Sequence, residues 1–285
     1  MDATSYRWPV GTRAALKRFD PGDTGGYADK DAAKHKLKAD IKKLAALQDV
    51  LAASGAHGIL IILQGMDSAG KDSAIKHVMT GVNPQGVEVH GFREPTEEER
   101  KHDYLWRCVR RLPERGRIGI FNRSYFEEVL IVRVHPELLG QPLARHANAA
   151  FWRRRYREIN DFERYLAENR IQVIKFFMHI SKAEQAERLL DRLKRPDKHW
   201  KFSSSDVSQR ASWDQYMKAY EDMLNATSTA WAPWYIIPAD HKWFAHAVVA
   251  DTLVRRLQAL HLTYPRLDPA MRRTLRAVER RLKAG

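Results

Sequence analysis

Cysteine is almost missing from this chain: Cys108 is the only one in 285 residues. That excludes an internal disulfide and a cysteine-based zinc site, and it fits a reducing cytoplasm. Cys108 itself reads as a small core residue, with a reactive thiol as the competing reading. Apolar runs approaching about 20 residues are missing too, as is an apolar signal core after Met1, so a soluble, cytoplasmic protein without a membrane partner is expected. No internal repeat and no long flexible linker is evident. Acidic residues are scarce beside basic ones, 35 against 49, which gives a formal charge of +14. A field of that sign attracts polyanions such as nucleic acid, nucleotides, long phosphate chains or an anionic membrane, and charge does not choose among them. With 44% hydrophobic residues, the length suits a single α/β domain over 1–285.

What is present begins with an apolar run from Gly58 to Leu63 that empties into a glycine-lysine loop, Gly65 to Lys71, followed by a helical pattern. Gly65 and Gly70 let successive amide N–H groups turn toward an anion, the helix N-terminus adds its positive dipole end, and Lys71 adds a point charge. The candidate phosphate cradle is Gly65, Met66, Ser68, Ala69, Gly70, Asp72 and Ser73. The spacing matches a P-loop except at Asp72, which stands where a Ser or Thr hydroxyl usually binds Mg2+; a hydroxyl follows at Ser73. Asp67 lies inside the loop. A carboxylate among phosphate oxygens is repelled unless a metal or a proton intervenes, so Asp67 reads as a metal ligand or base, against a plain turn-forming Asp.

Strands and helices alternate along the rest. The spacing predicts a long helix from Asp29 to Ala53 and then the strand, loop and helix just described, ending near Met79. A strand Val87 to Phe92 comes next, with a capping box at Thr96 and Glu99 opening a helix to Leu112. A strand Arg117 to Phe121 leads to a helix through Val132, and another helix covers Arg145 to Glu168. A strand Ile171 to Ile180 ends in a second box at Ser181 and Glu184, and a strand Trp234 to Ile237 leads to a helix from His241 to Leu260. Five strands separated by helices imply a parallel sheet with helices on both faces and a ligand at the strand carboxyl ends. There, Asn122 could ligate or orient a metal-bound water, or simply cap a helix, and Arg123 could grip phosphate oxygens. The basic and aromatic segment from Arg188 to about residue 210, with Arg192, Lys198, Trp200, Phe202 and Asp206, suits a lid that closes over a phosphate-bearing ligand, against a solvated loop.

Several separated stretches, Gly65 to Asp72, Gly81 to His90, Phe121 to Tyr125, Pro196 to Lys201 with Ser203 and Asp206, Trp213 to Tyr216, and Trp234 to Asp240 with Lys242, together resemble the polyphosphate kinase family 2 proteins. The resemblance covers roughly Asp29 to Leu260. It implies a P-loop kinase fold similar to thymidylate kinases with a helical lid, Mg2+ as cofactor, and reversible phosphoryl transfer between inorganic polyphosphate and a nucleotide in a homo-oligomer, a dimer or tetramer. Many relatives carry Asp at the place of Asn122. The Asn form is similar to the subgroup acting on both nucleoside mono- and diphosphates, which puts AMP and ADP first and puts a direct carboxylate–metal bond at 122 in doubt. On this reading Asp67, Lys71, Asn122 and Arg123 are the catalytic candidates, and Arg133 and Lys198 are further candidates for gripping phosphate. Two rival functions are an ATP-dependent nucleoside or nucleotide kinase, and a noncatalytic polyanion- or nucleic-acid-binding protein; nucleic acid is not the expected partner. The segment carrying Arg272, Arg273 and Arg276 lies beyond the recognised motifs.

Overall fold

The computed structural model describes residues 3–27, 29–140, 143–201 and 209–284. Five parallel strands form its sheet: β1 (Gly58–Gln64), β2 (Val87–Gly91), β3 (Ile118–Asn122), β4 (Ile171–His179) and β5 (Trp234–Pro238), in the spatial order β2-β3-β1-β4-β5. β1 sits at the centre with all seven residues buried, as its unbroken apolar run requires when both faces of a parallel strand are covered. Ile61 and Leu63 pair in register with Ile120 and Asn122 on one side and with Ile174 and Phe176 on the other.

Register decides which helices meet which face, since alternate side chains point to opposite sides. Ile61, Leu63 and Ile120 line a shared apolar surface with α2 (Lys71–Val78) and α8 (Lys242–Gln258), against which α1 (Lys30–Ser54) also packs. Lys175, one residue out of phase with Ile174, therefore faces the other side. There its ammonium is buried against Glu163 of α5 (Ala149–Glu168) and donates to the Thr227 carbonyl at 2.7 Å, at the end of α7 (Trp213–Thr227). Burial pushes the Glu163 pKa up and the Lys175 pKa down, and each partner's charge opposes that for the other. The opening segment is a strap along the outer edge of β5. The Trp8 amide donates to the Trp234 carbonyl at 2.8 Å, Arg7 and Tyr235 form an antiparallel bridge, and the Trp8 side chain is fully buried.

Three helices differ from the sequence reading. The box at Thr96 and Glu99 does close, with the Thr96 amide on Glu99 Oε2 at 2.9 Å and the Glu99 amide on Thr96 Oγ1 at 3.2 Å. The chain then turns extended at His102, and Asp103 caps the Leu105 amide, so only a 3-10 turn (Glu99–Lys101) and the short α3 (Trp106–Val109) form in place of one helix to Leu112. After β3 a 3-10 segment (Tyr125–Val129) and α4 (Ile131–Val134) are separated by Leu130 at φ −114, ψ −88. α5 starts at Ala149 and not at Arg145, because the Asn148 side chain caps the Ala150 and Phe151 amides. Beyond Leu260 lies α9 (Pro269–Ala284), with no buried residue. Cys108 is buried and its thiol is pushed up to about 12 by desolvation, so it is a core residue.

Candidate active site

The site is built where β1 stops. Gly65 has φ +149, and a Cβ there would meet the Met178 carbonyl oxygen at 2.7 Å, so the loop leaves the sheet through a conformation that excludes a side chain. Gly70, at φ +102, is the left-handed residue from which α2 starts. Lys71 folds back across that curl and donates to the Gly65 carbonyl at 2.7 Å and the Met66 carbonyl at 3.1 Å. Burial, and secondarily the Arg123 charge, pushes its pKa down to about 8.

β3 delivers its end residues to the same place because Asn122 pairs with Leu63 and the Arg123 amide extends that ladder to the Leu63 carbonyl at 3.0 Å. Asn122 donates from Nδ2 to Asp72 Oδ1 at 2.6 Å, and Ser124, not Asn122, caps the segment that follows through the Phe126 amide. Arg123 sits at φ +64, a left-handed backbone that a long side chain rarely adopts, and such positions cluster at functional sites. Its guanidinium bridges Asp67 and Glu127 Oε2, the latter at 3.1 Å. The Glu127 charge, more than that of Asp67, raises its pKa.

Glu127 is a site residue that the sequence reading missed. With the Gln64 amide oriented so that its nitrogen donates, Gln64 reaches Glu127 Oε1 at 2.9 Å and accepts from Ser124 Oγ. Glu127 is thus fixed from both β1 and Arg123, and the only signal in the sequence is its i,i+4 spacing from Arg123. Gly65, Met66, Asp67, Arg123 and Glu127 line a cleft closed by Leu130, Ile131, Gln209, Tyr216 and Tyr220. The Tyr216 hydroxyl is buried there without a hydrogen-bond partner among the described residues.

Against the phosphate loop packs α6 (Lys182–Lys194), whose first turn is capped by the Ser181 hydroxyl accepting from the Glu184 amide at 3.1 Å. Gln185 donates to the Asp67 carbonyl at 3.1 Å. Arg188 Nη1 donates to the Ser68 and Ala69 carbonyls at 3.0 and 3.2 Å, and its Nη2 donates to those of Ala239 and Asp240 at 2.6 and 2.9 Å. Arg192 reaches the Ser68 hydroxyl at 2.8 Å, and Ser68 itself has φ +66. The base of the expected lid therefore clamps the phosphate loop to the end of β5. Its continuation is a 3-10 segment (Pro196–Lys201), and residues 202–208 of the expected lid, with Phe202, Ser203 and Asp206, lie outside the described residues.

Three expected phosphate contacts are engaged elsewhere. The Ser73 hydroxyl meets His246 Nε2 of α8 at 3.1 Å. Arg133 is bound to the Tyr156 hydroxyl and to Asp222 Oδ2, the latter at 2.6 Å, across α4, α5 and α7. Lys198 pairs with Asp191 at 2.7 Å, although its charge is felt at Lys242. The Asp72 carboxylate accepts from Asn122, which leaves its backbone amide as the group suited to an anion.

The family described as Polyphosphate kinase 2 matches residues 27–264. An ADP-polyphosphate phosphotransferase of Rhodopseudomonas palustris is 45% identical over 280 residues, 97% of each chain. An AMP/ADP-polyphosphate phosphotransferase of Meiothermus ruber is 45% identical over 266 residues, 93% of this chain and 96% of that one. The crystal structure of polyphosphate kinase 2 from Arthrobacter aurescens TC1 superposes with a TM-score of 0.87 at 42% identity, over 97% of this chain and 96% of the other.

Proposed function

Because the chain belongs to the polyphosphate kinase 2 family, we propose that it is a polyphosphate-dependent nucleotide kinase, moving phosphoryl groups reversibly between inorganic polyphosphate and AMP or ADP. The observation that carries this reading is the convergence of the Lys71 loop and the Arg123–Asp67–Glu127 cluster on one cleft at the strand ends.

The reaction is an in-line displacement, in which a terminal oxygen of the nucleotide attacks the terminal phosphorus of the donor and the bond to the shortened polyphosphate breaks. Little covalent chemistry is left to the protein, whose part is to hold and neutralise anions. The loop amides and Lys71 hold one phosphate, and an arriving phosphate competes with Asp67 for the Arg123 guanidinium. Glu127 keeps Arg123 aimed during that exchange, and the Tyr216 hydroxyl is a donor waiting at the cleft wall.

The residues present fit Mg2+. It binds proteins through one or two carboxylates and keeps water and substrate phosphates for the rest, so two loop carboxylates, Asp67 and Asp72, are a sufficient protein share, with Asn122 beside Asp72. Bound there, Mg2+ would neutralise charge on the phosphate oxygens. We read the elements as one kinase unit whose lid starts at α6. Among the described residues no helix is long and apolar enough to cross a membrane, and the lone reduced cysteine suits the cytoplasm. The test is to incubate the purified chain with polyphosphate, Mg2+ and AMP or ADP and to identify the nucleotides by chromatography. Formation of ADP or ATP that requires polyphosphate is the expected outcome; acceptor phosphorylation from ATP alone would return the site to the conventional nucleotide kinases.

A further inference from the structure

α9 is an amphipathic helix whose apolar side is uncovered among the described residues. Asp268 accepts the Met271 amide at 2.7 Å and Pro269 occupies the first turn, a well-formed start. Met271, Leu275, Val278 and Leu282 then follow at intervals of four, three and four, and they are 49%, 48%, 45% and 78% exposed. That is the spacing of a coiled-coil seam. An isolated helix of this length is marginal in water, so the stripe requires a partner.

The residues flanking the stripe identify that partner. Arg272 and Glu279 lie along one margin of the seam, and Thr274 and Arg281 along the other. When two copies of the helix run antiparallel, Leu275 of one meets Val278 of the second copy and Met271 meets Leu282. The same register sets Arg272 beside Glu279 of the second copy and Glu279 beside its Arg272. Every contact recurs with the two copies exchanged, as a twofold interface requires. A parallel pair in register places Glu279 opposite Thr274 and forms no ion pair. An anionic membrane would accept the arginines but gives no role to a carboxylate on the seam margin. In the single chain Lys283 already holds Glu279 at 2.6 Å, and Lys283 lies away from the seam, leaving the other carboxylate oxygen for a partner.

We propose that α9 pairs antiparallel with α9 of a second copy of this chain, with reciprocal Arg272–Glu279 ion pairs fixing the direction. Two heptads bind weakly by themselves, so the association should be read by sedimentation velocity on the full chain across the micromolar range. The expected result is an even-numbered assembly that Leu275→Glu or Val278→Glu lowers by one step, with association weakened about tenfold or more, while the sheet and its packed helices stay folded and the loss of helical circular dichroism does not exceed the share of α9. Arg272→Glu and Glu279→Arg should each weaken it several-fold, and the double variant R272E/E279R should recover it. Identical masses for the native chain and the two glutamate variants would overturn the pairing, and so would a double variant no better than the singles. Binding of monomeric chain to phosphatidylglycerol vesicles, lost in Leu275→Glu, would assign the face to membranes and overturn it too.

Discussion

Lys71 is held in a state that its ligand must complete. Its ammonium is desolvated against two loop carbonyls and beside Arg123, which brings its pKa down to about 8, whereas phosphate oxygens would favour the charged form. Below about pH 8 the free enzyme carries the ammonium, and above it the neutral amine. The pH profile of kcat/KM for polyphosphate should therefore fall above about pH 8, while the kcat profile, set by the occupied enzyme, stays flat to higher pH. Coincident profiles would show that phosphate does not raise the lysine's pKa. Lys71→Ala should lower kcat by about two to three orders of magnitude with little change in melting temperature; unaltered turnover would remove the loop from the reaction. At the same scale, Asp67 and Arg123 were legible from their places after β1 and β3. Glu127 was not, because its i,i+4 spacing from Arg123 is common to many surface pairs, and its other partner, Gln64, lies far away in the chain, on β1.

Among the elements, α6 does most to shape the site. Through Arg188 it ties the Ser68 and Ala69 carbonyls to those of Ala239 and Asp240, so the phosphate loop and the end of β5 share one guanidinium. Arg188→Lys keeps the charge but not the fork geometry. It should raise KM for both substrates and speed amide hydrogen exchange in 65–71, and unchanged exchange there would reduce Arg188 to a surface charge. The sheet itself was readable from sequence, because β1, β3, β4 and β5 are short, mainly apolar stretches set between helical patterns, and β2, Val87-Glu88-Val89-His90, alternates as a strand does. The helices were less so. A capping box fixes where a helix starts but not how long it lasts, and Asp103 stops the one after Glu99 by taking the Leu105 amide. α9 was legible from the spacing of Met271, Leu275, Val278 and Leu282, but it lies beyond the recognised motifs.

For the whole molecule, the formal charge of +14 invites the view that polyphosphate is drawn in by the field at large. Local geometry argues for a narrower account, since Arg133 is committed to Asp222 and many surface arginines pair with neighbouring carboxylates. Replacing Arg123 and Arg192, which both reach the phosphate loop, with Ala should raise KM for polyphosphate more than for ADP, and added salt should act in the same direction, screening beyond about 8 Å at physiological strength. Substituting Arg273, Arg276 and Arg280 on the polar side of α9 should not. Equal losses in the two sets would show that total charge recruits the donor. The strap formed by residues 7 and 8 has a different kind of consequence. By occupying the β5 edge it leaves, among the described residues, the β2 edge as the one open to another strand, so edge-to-edge joining would stop at two sheets. Removing the first sixteen residues would turn a terminated ribbon into one with two live ends. The trimmed protein should form fibrillar, thioflavin-positive aggregates on warming where the intact chain does not, and equal behaviour of the two would show that the strap guards nothing.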